Sequence, residues 1–164
     1  MSVVAWDGKT LAADRQAGCA GLRIETRKIW RQEDGTVLAF TGSIDSMMML
    51  LRWYREGAKV EQWPASQARK DWTRLIVVKP NLTINVYERY PEPEIVIYAP
   101  TAWGAGRDYA IGAMAMGADA RKAVEVTNQF SESCGFGVDA FDVRPESRAV
   151  SALAHLRASI QSIL

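Results

Sequence analysis

The sequence predicts an α+β fold in which antiparallel sheets are layered against helices. Three observations lead to that expectation. Two Asp-Gly pairs, Asp7-Gly8 and Asp34-Gly35, each sit between short runs of strand-forming residues, the pattern of a tight β-hairpin. A third segment, "SIDSMMMLLRWYREG", switches to helical spacing. The elements also come in groups, as strands, helix, strands, two helices, strand and tail helix. Grouping of this kind argues against an alternating parallel sheet.

Taken in order, Val3 to Trp6 and Lys9 to Ala13 read as the two strands of the first hairpin, and Arg27 to Arg31 and Thr36 to Thr41 as those of the second. In the first helix Ile44, Met47, Met48, Leu51 and Tyr54 share one face, with Ser43 placed to cap its start and Gly57 to end it. The methionine triplet reads as core filler on that helix rather than as a ligand set. Residues 58–73 are mixed and broken by Pro64, consistent with a short helix. Strands are expected at Arg74 to Val78, Leu82 to Glu88 and Glu94 to Ala99. "WGAGRDYAIGAMAMGA" opens with glycines and becomes helical, Asp119 caps a helix through Ala120 to Phe130, and "CGFGVDAFDV" closes as a strand. The tail from Glu146 to Leu164 is amphipathic, with Val150, Leu153, Leu156, Ile160 and Ile163 on one side.

Composition narrows the function. The chain has 164 residues, which suits one domain able to bury roughly 70% of its unfolded surface. Its 20 basic and 19 acidic residues leave a net charge of +1, which points to neither a nucleic-acid nor a membrane partner. Asp7, Lys9, Asp14 and Arg15 interrupt any signal-peptide core, and no apolar run approaches the roughly 20 residues a membrane span needs. Cys19 and Cys134 have neither metal spacing nor a disulfide framework, so a reducing cytoplasm is the expected compartment. His155 is the only histidine, which disfavours a Ser-His-Asp triad and a histidine zinc site. No cofactor is expected, and the base of an enzyme built from this chain would be something other than imidazole.

The opening residues supply an alternative base. A two-residue turn at Asp7-Gly8 would set Trp6 opposite Lys9, Val4 opposite Leu11 and Ser2 opposite Ala13, leaving Asp14 one step beyond Ser2. A turn at Asp34-Gly35 would set Lys28 opposite Thr41, with Gly42 at the same end; a longer turn would slip that pairing by about one residue. Ser2, Asp14, Lys28 and a backbone N–H near Gly42 are therefore expected together at strand ends. If Met1 is removed, as is common before a small residue, Ser2 carries a free α-amine. Its pKa of about 8, against about 10.4 for lysine, leaves it substantially neutral near pH 7.5 and able to take the proton of its own hydroxyl. A Lys28 ammonium would disfavour the protonated amine, Asp14 would hold the lysine, and a Gly42 N–H would stabilise the oxyanion. A retained Met1 would acylate the Ser2 nitrogen and abolish the base. Each residue also has an ordinary use: serine commonly follows methionine, Asp14 can cap a turn, a strand lysine can be solvated, and Gly42 can be a plain helix entry.

Four segments, "SVVAWDGKTLAADRQ", "TRKIW", "LAFTGSIDSMMMLLRWYREG" and "TAWGAGRDYAIGAMAMGADARKAVEV", resemble in order the proteasome β-type superfamily, most of all HslV-like peptidase subunits and their phage-borne relatives. The resemblance runs to about Val143. It implies a four-layer αββα sandwich of two antiparallel sheets flanked by helices, the N-terminal nucleophile hydrolase fold, over residues 1–145. An added C-terminal helix at 146–164 would pack on this domain or on a neighbouring subunit. It also implies hydrolysis of peptide or unfolded protein, a homo-oligomeric ring and an ATP-dependent unfoldase. By resemblance Ser2 takes the place of the catalytic threonine, Asp14 the aspartate of the "AAD" motif, Lys28 the lysine of "KI", and Gly42 the oxyanion glycine. The departures are serine for threonine, which loses the methyl that restricts χ1, Val3 for a second threonine with a shorter first hairpin, and Gly104-Ala105-Gly106 for Gly-Ser-Gly. An alignment with Met1 at the nucleophile position would leave no hydroxyl there. Ser131, Ser133 and Asp139 have no matched role. Two other readings share the resemblance: a non-catalytic ring or scaffold subunit, and a stand-alone amidase acting on a small molecule.

Overall fold

The structure is a computed structural model that describes residues 2–143. The tail helix expected at 146–164 and His155 lie outside the described residues, as does Met1.

Two antiparallel sheets form the middle of the molecule. The first contains β1 (Val3–Trp6), β2 (Thr10–Asp14), β10 (Thr101–Gly104) and β11 (Val138–Asp142), in the order β10-β1-β2-β11. The second runs β5-β6-β7-β8-β9, from β5 (Ile29–Arg31) through β6 (Val37–Gly42), β7 (Thr73–Val78) and β8 (Ile84–Tyr87) to β9 (Glu94–Val96). Alternation along the central strands decides what packs where. Val4, Trp6, Leu11, Ala39 and Ile76 meet between the sheets. The intervening residues Val3, Ala5 and Ala12 face α2 (Arg107–Ala115) and α3 (Ala120–Phe130). Leu38, Phe40, Leu75 and Val77 face α1 (Ile44–Arg55). The central strands are buried on both faces, so they read as unbroken apolar runs such as "VVAW" and "LIVV" instead of alternating. The result is the four-layer αββα sandwich that the resemblance implies.

α1 and α3 are amphipathic toward their sheets, whereas α2 buries Ala110 and Met114 and leaves Tyr109 and Ile111 exposed. Met47, Leu50 and Leu51 of α1 are buried, whereas Met48 and Met49 point outward, so only part of the methionine triplet is core. Asp119 caps α3 by accepting from Lys122 N at 2.7 Å. Residues 58–73 hold two short 3-10 turns, Val60–Gln62 and Ala65–Ala68.

The structure corrects the sequence-based expectations in several places. The first hairpin pairs Trp6 with Leu11 and Val4 with Ala13, a shift of two residues from the expected register. The cause is Asp7, whose Oδ1 accepts from both Lys9 N (2.9 Å) and Thr10 N (2.7 Å), so the turn pair is Gly8-Lys9. Oδ2 of Asp7 also accepts from Ala120 N at 2.8 Å, tying the turn to the start of α3. The second hairpin has the longer turn, so Ile29 pairs with Ala39 and the Phe40 N–H donates to the Lys28 carbonyl at 3.0 Å. Lys28 is therefore opposite Phe40 rather than Thr41. The strand expected at Glu94 to Ala99 stops at Val96, and β10 occupies part of the glycine-bearing segment read as a helix entry. A further hairpin, β3 (Gln16–Cys19) with β4 (Leu22–Glu25), turns at Ala20 and Gly21, both at positive φ (48° and 82°). Its β4 is mostly exposed, and the alternation of its four residues, Leu-Arg-Ile-Glu, is too short to announce it.

Ile76→Ala, in the layer between the sheets, is expected to lower unfolding free energy by about 2–5 kcal/mol. Leu22→Ala on the exposed hairpin should change it by less than about 0.5 kcal/mol. Urea denaturation of both variants measures the contrast.

Candidate active site

The four residues expected together at the strand ends do converge. Ser2 immediately precedes β1 and is only 2% exposed. Its carbonyl accepts from Gly106 N at 3.1 Å, which fixes the backbone on which its side chain stands. Two glycines make that approach feasible. Gly104 pairs with Val3 and has φ +94°, and any Cβ there would run into the Ser2 carbonyl. A Cβ at Gly106 would meet Thr127, Cys134 Sγ and Val3.

Asp14, at the end of β2, is fully buried and accepts four hydrogen bonds. Oδ1 takes Lys28 Nζ at 2.7 Å and Val3 N at 2.9 Å. Oδ2 takes Gln16 N at 3.0 Å and Gly135 N at 3.3 Å. The two-residue register shift brings Asp14 opposite Val3, so its carboxylate binds the amide after Ser2 and orients Lys28. Lys28 is 4% exposed, and burial pushes its pKa below 10.5 even though Asp14 opposes that shift.

Gly42 ends β6 with φ +111°, paired with Thr73; a Cβ there would lie 2.5 Å from the Trp72 carbonyl oxygen. Gln67, fully buried, anchors the facing strand end: its Oε1 accepts from Thr73 N at 3.1 Å and its Nε2 donates to the Thr73 and Glu88 carbonyls at 2.5 Å each. Ser2, Lys28 and Gly42 line one cleft of about 390 Å³, with Phe40 and Met47 among its apolar walls. Ser2 and Gly42 also line a second cleft of about 230 Å³ that continues past Ala105 to Arg74 and Arg107. The nucleophile candidate thus stands where two clefts meet.

The other chemically capable residues play different parts. Ala105 lines the second cleft where a hydroxyl would be expected from the family pattern. Ser131 Oγ accepts from Ser133 N at 3.3 Å, Asp139 pairs with Arg15, and none of these three lines either cleft. Cys134 is buried, and desolvation followed by the Asp14 charge pushes its thiol up to about 11, so it is protonated near neutral pH. Cys19 is exposed and unbridged. Among the described residues no group of histidine, cysteine and carboxylate side chains could hold a metal ion, and no helix is long and apolar enough to cross a membrane. Gln16, Gly135 and Gln67 are supporting residues that the sequence did not mark.

The Asp14–Lys28 pair is asymmetric. Asp14→Asn leaves a buried ammonium without its counter-charge and should cost about 3–5 kcal/mol of stability. Lys28→Met should cost less, because the carboxylate keeps three N–H donors. Gly42→Ala should cost at least about 2 kcal/mol, from positive φ and the Trp72 contact together. Denaturant titration of the three variants checks the order.

No protein-family model matches the sequence, and no curated protein matches it. Solved structures do match. Thiobacillus denitrificans BPH in complex with epoxomicin superposes with a TM-score of 0.67 at 19% identity, covering 90% of this chain and all of that one. A second structure of Thiobacillus denitrificans BPH gives 0.66 at 20% identity, over 89% of this chain and 99% of that one. Eukaryotic HslV from Trypanosoma brucei gives 0.64 at 20% identity, over 87% and 98%. Over nearly its whole described length, the chain has the fold of these BPH and HslV structures.

Proposed function

We propose that this chain is an N-terminal nucleophile peptidase in which Ser2, exposed by removal of Met1, attacks the carbonyl of a peptide bond. The observation that carries the reading is the buried Lys28, held by Asp14 at 2.7 Å and lining one cleft with Ser2 and Gly42. Burying an ammonium is costly, and a fold that needed only stability would do as well with an apolar pair. The likeness to HslV from Trypanosoma brucei supports the same reading at the level of fold.

In this mechanism the free α-amine of Ser2 takes the proton from Oγ, directly or through one water, as Oγ bonds to the carbonyl carbon. The oxyanion that forms is met by the Gly42 N–H; one such donor typically contributes about 3–4 kcal/mol. The protonated amine then delivers its proton to the leaving nitrogen as the C–N bond breaks, leaving an ester on Ser2. Water, deprotonated by the same amine, attacks the ester and restores the hydroxyl. The charged Lys28 keeps the amine basic form populated, and Asp14 holds Lys28 in place. A homo-oligomeric ring fed by an ATP-dependent unfoldase, in a cytoplasmic setting, completes the proposal.

Intact-mass measurement should show a chain lacking Met1 that gains the mass of an electrophilic peptide inhibitor. Active protein that retains Met1 would overturn the mechanism. Ser2→Ala should lower peptide hydrolysis by roughly 10³-fold or more while leaving the size of the assembly, read by light scattering, unchanged. The pH profile of kcat/KM should be bell-shaped. Its acid limb follows deprotonation of the α-amine, near or below about pH 8. Its alkaline limb follows loss of the Lys28 proton and falls below pH 10.5, because the buried lysine is more acidic than a free one. Below that limb Lys28 is charged and paired; above it the charge that tunes the amine is gone.

A further inference from the structure

The two clefts that meet at Ser2 carry opposite charge. The larger cleft mixes apolar walls, Phe40, Ile44, Met47 and Trp72, with serine and threonine hydroxyls, and its charged lining residues are Asp45, Asp71 and Lys28. The Lys28 ammonium is paired with the buried Asp14 carboxylate at 2.7 Å, so this pair adds little net charge to the cleft. Asp45, in the first turn of α1, and Asp71, just before β7, are exposed at the rim and make no ion pair among the described residues. This cleft therefore presents two uncompensated carboxylates above an apolar floor of Phe40 and Met47. The smaller cleft has no acidic lining residue and two cations, Arg74 and Arg107. Arg74 is held by Glu88, with Nε at 2.6 Å from its carboxylate. Arg107 donates from Nη1 to the Gly104 carbonyl at 3.5 Å and meets Asp108 at 3.4 Å in an exposed pair, contacts that leave its charge largely available.

We propose that the substrate groove is electrostatically polar: the larger cleft takes a lysine or arginine side chain and the smaller one an acidic group on the other side of the scissile bond. The inference rests on Ser2 being the nucleophile and adds the substrate class. A long basic side chain suits the larger cleft twice over. Its methylene stem lies along Phe40 and Met47 while its charged tip reaches the rim where Asp45 and Asp71 stand. An acidic side chain there would be repelled by two like charges, and an apolar side chain would gain nothing from either solvated carboxylate. On the far side of Ser2, Arg107 offers a donor and a positive field to a carboxylate. Clefts of one sign concentrate the field inside them, so the two together orient an incoming peptide before it docks.

The test uses two isomeric peptides that differ only in exchanging Lys and Glu across a single amide, so that net charge is identical, with a neutral Leu-Ala peptide as reference. Binding of all three to the Ser2→Ala variant is measured by fluorescence anisotropy, and turnover by the wild-type protein is followed with cleavage sites mapped by mass spectrometry. One isomer should bind about ten-fold more tightly than the other, each rim carboxylate contributing about two- to five-fold. The preference should shrink to within about two-fold in Asp45→Asn/Asp71→Asn, with binding of the neutral peptide unchanged. It should also shrink when salt is raised from about 0.05 M to about 0.5 M. Equal binding of the two isomers, or a preference indifferent to the double substitution, overturns the proposal. If the preference is present but the wild-type protein cleaves none of the peptides, the groove is polar as proposed and it is the Ser2 nucleophile that fails.

Discussion

The buried carboxylate of Asp14 is the constraint on which the site depends. It joins four parts of the chain: the amide after Ser2, the turn into β3 through Gln16, the 131–137 loop through Gly135, and Lys28 at the start of the second sheet. An ionised carboxylate with no exposure is tolerable only when every lone-pair direction is answered, and three N–H groups and an ammonium answer them here. Because Lys28 immediately precedes β5 of the other sheet, the ion pair also ties the two sheets together at the end where Ser2 stands. The same desolvation that makes Lys28 more acidic places its charge where water screens it least.

Close backbone approach is the second requirement, and glycine meets it. Ser2 is wedged against β10 because Gly104 and Gly106 have no side chains, and the end of β6 abuts Trp72 because Gly42 has none. At Gly42 and Gly104 positive φ would also strain any other residue. These positions put a nucleophile candidate and a lysine, each one residue before a strand, and a potential oxyanion donor at the end of another strand along one cleft. The clefts on either side of Ser2 differ in size and in charge, so a peptide lying across it would meet different surfaces to its left and right.

Much of this was legible in the chain. The grouping of strands and helices, both hairpins, the helix after Gly42, the Asp119 cap and the set Ser2, Asp14, Lys28 and Gly42 all follow from local pattern, because turn chemistry and periodicity act over a few residues. The register did not. Asp7 has two carboxylate oxygens, and the sequence cannot say that one would collect two turn amides while the other reached Ala120 in α3. The second hairpin slipped by one residue for a similar reason, since a turn and its one-residue extension share the same Asp-Gly signal. The β3–β4 hairpin and β10 were missed because one strand of the former is largely exposed and the latter ends in glycines that resemble a loop entry.

By itself, the sequence determined most of the strands and helices and marked a few residues as candidates for chemistry. Tertiary structure decided the rest. It set Asp14 opposite Val3 rather than beyond Ser2, recruited Gln16, Gly135 and Gln67 to hold the site, and put Asp45 and Asp71 on one side of Ser2 with Arg107 on the other. Local pattern reports interactions between near neighbours in the chain, whereas the partners of a buried carboxylate and the charge of a cleft are set by residues separated by up to 121 positions that meet only when the sheets pack.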